Sequence, residues 1–121
     1  MTWSIVARDK ATGCFGIAVA TKFFAAGSRV PFVAAGIGVI ATQALVNPFY
    51  GTNGLRLLRE GMAADTVVKT LVAADDGRDH RQIHVMDATG RSHVIHKEQP
   101  QLVFDSIREV VEAVRNPASW R

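Results

Sequence analysis

The residues with the clearest chemistry are Thr2, at the head of one β-rich run, and Lys22, at the foot of the next. Once Met1 is removed, the α-amine of Thr2, whose ordinary pKa is about 7.7–8.0, can take the proton from the hydroxyl of the same residue and make it a nucleophile. Lys22 would lower the pKa of that amine or stabilise negative charge developing on a substrate carbonyl. Ser4 adds a second hydroxyl in the same run and is grouped with them as catalytic. The competing reading, from spacing alone, is a hairpin with an ordinary polar rim.

A hairpin must position these groups. Residues 3–7 and 15–21 are apolar and β-rich, and Asp9, Lys10, Ala11, Thr12 and Gly13 join them. Gly13 sits where such a loop takes a left-handed residue. If Arg8 pairs with Cys14, Thr2 faces Ala20, and Lys22 lies one diagonal step away, about 7–8 Å between Cα atoms, which a lysine side chain spans. Strand alternation then gives Thr2, Ser4, Cys14, Gly16, Ala18, Ala20 and Lys22 one small, partly polar face. Trp3, Ile5, Phe15, Ile17 and Val19 form the opposite, core face. Cys14, mid-hairpin, reads as a buried structural thiol.

The 121 residues suffice for one small domain with a core. An apolar content of 48% with 21% charged residues excludes a disordered chain. The net charge of +3 comes from scattered Lys and Arg, so no nucleic-acid partner is expected. A single cysteine excludes an internal disulfide and fits a reducing compartment. The first residues lack a basic region followed by a short apolar core, and the apolar passage 30–46 is broken by Pro31, Gly36, Gly38 and Gln43. A cytoplasmic protein with no membrane partner is the expectation. His80 and His84 are four apart, and His93 and His96 three apart, but on strands a spacing of three points to opposite faces. No metal or other cofactor is expected.

In chain order, residues 23–35 contain Gly27, Ser28 and Pro31 and read as a loop. Residues 36–44 alternate small and branched side chains and read as a third strand, closed by Thr42 and Gln43. Asn47, Pro48, Phe49, Tyr50 and Gly51 read as a turn, with Thr52 or Asn53 capping a helix that Gly61 stops. A second helix is predicted over 64–74 from the spacing of Val67, Val68, Leu71 and Val72, without a strong cap at Ala63. Residues 75–81 read as a charged connector leading to a second hairpin, 82–86 and 91–96, turned at 87–90. Ser106 and Glu109 form a capping box for a last helix whose stripe is Ile107, Val110, Val111 and Val114.

The segments TWSIVARD, GIAVATKFFAAG, ATQALVNPFYG, GLRLLREG and GRDHRQIHVMDATGR, in this order, resemble the bacterial family called domain of unknown function 1028. The resemblance runs from Thr2 to about Arg91. It implies an α+β fold, an αββα sandwich similar to the amino-terminal nucleophile hydrolases, although a shared fold does not fix chemistry. Carried over by position, it covers Thr2, Ser4 and Lys22, the Thr42 and Gln43 pair, Asn47, Tyr50, Asp79, Arg81 and Gln82. Family members continue beyond this length, whereas this chain leaves the pattern after about Val94. The sandwich is therefore expected to be incomplete, with residues 1–96 as its hydrolase-like portion and 97–121 as a carboxy-terminal helix outside the resemblance. Either the carboxy-terminal helix or a second copy would cover the exposed sheet, and because an uncovered apolar sheet would aggregate, a homo-oligomer is the expectation.

Two functional readings follow. The first is an amide hydrolase acting through Thr2 and Lys22, in which Thr42, Gln43, Asn47, Tyr50, Asp79 and Arg81 bind a small substrate bearing a carboxylate or amide, with Arg81 suited to a carboxylate. The second is a non-catalytic module on the same fold that binds a small anion or serves assembly.

Overall fold

The computed structural model describes residues 2–95, so the capping box at Ser106 and Glu109 lies outside the described residues. Strands β1 (Thr2–Arg8) and β2 (Phe15–Thr21) form an antiparallel hairpin. A second, antiparallel sheet holds β3 (Pro31–Ala34), β4 (Gly38–Ala44), β5 (Arg81–Asp87) and β6 (Ser92–Ile95), in that order. Helices α1 (Pro48–Arg59) and α2 (Ala64–Ala73) connect β4 to β5. The fold is α+β, with the hairpin on one face of the larger sheet and both helices on the other.

The alternation of β4 makes these layers. Val39 and Ala41 face the hairpin and pack with Val6, Phe15, Ile17, Val19 and Met86. Ile40 faces the helices, where Tyr50, Leu57, Leu58, Val67, Val68 and Leu71 meet Ile83 and Val85. Because β4 is buried on both faces, it reads as a nearly continuous apolar run.

The hairpin register differs from the expected one by a residue. Arg8 pairs with Phe15 and Thr2 with Thr21. The Asp9 carboxylate accepts from Ala11 N at 2.9 Å and from Thr12 Oγ1 at 2.7 Å, and Thr12 Oγ1 accepts from Cys14 N at 3.2 Å. Side-chain capture of the Cys14 N–H takes that residue out of the regular pairing, as local Asx and Thr bonds commonly do. A slip of one residue reverses which partners share a face. Thr2, Ser4 and Val6 therefore share the inner face with Phe15, Ile17, Val19 and Thr21. Ile5, assigned to the core from sequence, is 39% exposed, and Cys14 is exposed rather than buried.

Two other boundaries moved for physical reasons. Residues 31–34 form an edge strand despite Pro31, because proline is tolerated as the first residue of an edge strand. Helix α1 begins at Pro48, and Asn47 Oδ1 caps it by accepting from Phe49 N at 3.1 Å, which displaces the expected cap at Thr52 or Asn53. The glycines after that cap are helix interior because the sheet comes so close. A Cβ on Gly51 would run into the Phe32 ring, and one on Gly54 into Ile40 Cδ1.

Helix α2 has no cap from Ala63 and borrows an acceptor from β5. Buried Asp87 accepts from Thr89 N, Thr89 Oγ1 and Arg91 N at 2.9, 2.6 and 3.1 Å, and also meets the Ala64 N–H. Burial pushes the Asp87 carboxyl up, and these donors more than offset it, leaving its pKa below the ordinary value. Asp87→Ala would strand several donors at once, so a loss of about 1–3 kcal/mol in urea unfolding is expected.

Candidate active site

Thr2 sits at the open end of the space between hairpin and sheet. Its Oγ1 is 2.7 Å from Thr21 Oγ1, and Thr21 Oγ1 in turn accepts from Phe23 N at 3.1 Å. Gln43, on the hairpin-facing side of β4, donates through Nε2 to the Thr2 carbonyl oxygen at 3.1 Å and to Gln82 Oε1 at 2.9 Å. Gln43 is 4% exposed, and its Oε1 is a buried acceptor without a partner among the described residues. One side-chain amide thus fixes the first residue of β1 and keeps an acceptor in reserve beside it.

A cavity of about 250 Å³ opens here, walled by Thr2, Phe23, Arg29, Gln43, Leu45 and Val46. It lies below the usual span of about 300–1,000 Å³ for ligand pockets, so it suits a small molecule. Its rim is apolar, with Phe23 60% and Leu45 63% exposed. Ala44, also at the wall, has a φ of 68°, a left-handed conformation that costs an alanine about 1–3 kcal/mol. This turn leaves the Leu45 carbonyl to accept from Arg81 Nη1, while Leu45 N donates to the His80 carbonyl at 3.2 Å.

The other expected site residues divide according to the face they occupy. Ser4 shares the inner face with Thr2, opposite Val19. Lys22 is exposed just beyond β2, with no hydrogen bond to Thr2, so Thr21 is the side-chain partner of Thr2 where Lys22 was expected. Thr42 is fully buried on the helix side of β4, and the sheet separates its side chain from the cavity. Asp79 lies on the exposed 3-10 turn Arg78–His80, away from the cavity wall.

Asn47, Tyr50 and Arg81 do come together, but on the helix side and around Asp75, which sequence reasoning passed over as part of a charged connector. Asp75 Oδ2 accepts from Arg81 Nε at 3.1 Å and from Asn47 Nδ2 at 3.2 Å, and Asp75 Oδ1 accepts from Gly77 N at 2.9 Å. The Tyr50 hydroxyl, buried beside this carboxylate, is close enough to perturb it, although the two do not meet in full hydrogen-bond geometry. Tyr50, then Asn47, Arg81 and the Gly77 N–H, hold the Asp75 carboxyl well below the usual range against the opposing effect of burial. Burial first, and Asp75 second, push the Tyr50 phenol up. Arg81, with its charge opposite Asp75, joins the start of β5 to the end of α2, so these three residues form a structural lock and do not line the cavity beside Thr2.

The lock has a pH signature. A carboxyl whose folded pKa lies below its unfolded value of about 3.9 contributes stability above that value and loses it as pH falls toward the folded pKa. Stability should therefore decline below about pH 4, and Asp75→Asn should lower the melting temperature at pH 7 and flatten that acid limb. Melting curves from pH 7 down to pH 2.5 on both proteins check this.

Arg29 and Thr21 are the functional candidates missed from sequence. Arg29 lay in a segment read as loop, with nothing to place it near Thr2, and Thr21 was hidden by the register error. The hydroxyl of Thr21 at the end of an apolar strand was the available signal.

The family of unknown function DUF1028 matches residues 2–108, past Arg91, where the last of the sequence motifs ends, and into the segment 97–121 expected to lie outside the resemblance. The chain belongs to DUF1028. A crystal structure of a DUF1028 protein from Silicibacter pomeroyi is similar, with a TM-score of 0.76 and 32% identity over 83% of this chain. This DUF1028 chain spans about half the length of that relative, covering 48% of it. No curated protein matches. No helix among the described residues is long and apolar enough to cross a membrane.

Proposed function

We propose that this DUF1028 chain is an amino-terminal nucleophile hydrolase of a small amide, with Thr2 as nucleophile. The observation that carries this reading is the Thr2 hydroxyl, held by Thr21 at the mouth of a small cavity while Gln43 fixes the Thr2 carbonyl. After removal of Met1 the α-amine takes the hydroxyl proton as Oγ1 bonds to the substrate carbonyl carbon. The resulting ammonium protonates the leaving nitrogen as the C–N bond breaks, and water then cleaves the Thr2 ester. The free Oε1 of Gln43 is positioned to accept from the substrate N–H or the α-ammonium. Arg29 takes over the carboxylate-binding role expected of Arg81, and Phe23, Leu45 and Val46 receive an apolar acyl chain. N-acyl amino acids combine those features.

Amine release from a panel of N-acyl amino acids, measured with Met1-free protein, tests the proposal. Arg29→Gln should raise KM about 10-fold or more for acids and leave the matching neutral amides unaffected. Absence of amine release across the panel would favour the second reading, a binding module that uses Arg29 for anions without cleavage. The uncovered outer face of the hairpin, including Ile5, Ala7, Gly16 and Ala18, supports a homo-oligomer as the working assembly.

A further inference from the structure

A larger cavity, of about 460 Å³, lies at the opposite end of β1 from Thr2. Six residue steps of about 3.3 Å put the two ends roughly 20 Å apart. Arg8, Gly13, Cys14, Val33, Gly36 and Ala88 lie on its wall, bringing together the turn of each hairpin and the turn between β3 and β4. We propose that this cavity is a second binding site, for a small molecule carrying an oxyanion group such as a carboxylate or phosphate, with Arg8 as its anchor.

Arg8 is held between two turns, and its Nε is left unpaired among the described residues. Its stem passes the second hairpin turn, where a Cβ on Gly90 would lie 3.7 Å from Arg8 Cδ, and its tip reaches the first, where a Cβ on Gly13 would lie 3.6 Å from Nη2. Arg8 Nε is fully buried and has no hydrogen-bond partner among the described residues. An unpaired buried donor is uncommon, and on a guanidinium it belongs to a fork shaped for two oxygens of one anion. The neighbouring acid, Asp9, feels the charge of Arg8 but spends its own oxygens on Ala11 N and Thr12 Oγ1. Among the described residues, no acidic residue lines the cavity. The rest of the wall includes Phe15, Val33, Ala35 and Ala88, so an anionic head with a short apolar body fits its chemistry. Volume beyond that of a bare ion points the same way.

The test follows the Arg8 Nε–H resonance of the full chain during titration with inorganic phosphate and, separately, hexanoate, at ionic strength held constant with chloride. Arg8→Lys, which keeps the charge and loses the fork, assigns the signal. A saturable shift with either anion but not with chloride is expected, and which of the two binds more tightly distinguishes a phosphate from a carboxylate head. Both anions should also raise the melting temperature of Arg29→Gln, with the rise lost when Arg8→Gln is added to that variant and reduced when Arg8→Lys is added. An Arg8 resonance that does not move with either anion would overturn the proposal. So would a melting-temperature rise that survives unchanged when Arg8→Lys or Arg8→Gln is added to Arg29→Gln. The readout at Arg8 does not depend on turnover at Thr2, so this site and the hydrolase proposal stand or fall separately.

Discussion

Thr2→Ala, with Met1 still removed, is expected to lower kcat by about 10³-fold or more on any N-acyl amino acid the parent cleaves, because no other group supplies the bond to the acyl carbon. Stability should change far less. The lost hydroxyl contact with Thr21 is worth about 0.5–1.5 kcal/mol net, so the variant should stay folded and its inactivity can be read as chemistry. Thr2→Ser keeps the nucleophile and should recover most of the turnover. Steady-state amine release and urea unfolding on the same three proteins make the comparison. Equal kcat for parent and Thr2→Ala would remove Thr2 from the mechanism.

The second large effect is structural. Gly51→Ala should destabilise the fold by about 1–3 kcal/mol, the range for forcing extra volume into a packed interface. Helix propensity acts in the opposite direction, favouring alanine over glycine by about 0.8–1.0 kcal/mol. The clash should prevail because the obstructing atoms are the base and flank of the Phe32 ring rather than the end of a flexible chain. Thr52→Ala, exposed one residue along the same helix, gains propensity without a clash and should be neutral to slightly stabilising. Urea denaturation of both variants separates the two effects, and a Gly51→Ala protein as stable as Thr52→Ala would refute the close packing of α1 on β3.

The parts of this fold legible in the sequence are those set by local pattern. The arms of the first hairpin and the stripe of α2 follow directly from alternation and helical spacing, and the second hairpin shows in its turn residues. The register of the first hairpin was not legible, because it depends on which donor Thr12 Oγ1 captures, and that one bond decides whether Thr2 meets Ala20 or Thr21. Glycine also misled at α1, where Gly51 resembles a turn residue until the proximity of Phe32 is known. At the site, Thr2 and Gln43, both singled out from the sequence, are joined by a hydrogen bond. Thr42, next to Gln43, could not share its cavity, since adjacent strand positions face opposite ways. Arg81 was expected to meet a substrate carboxylate, and the carboxylate it meets is Asp75 of the same chain.

If Thr2 is an amino-terminal nucleophile, a β-lactone should acylate it, and intact mass spectrometry after incubation with one reads the outcome. A strained acyl donor of this kind traps such a hydroxyl as a stable ester. The expected result is a chain lacking Met1 that gains one acyl group, mapped to Thr2 by peptide analysis and absent from Thr2→Ala. Retention of Met1, or an adduct that persists unchanged in Thr2→Ala, would contradict it.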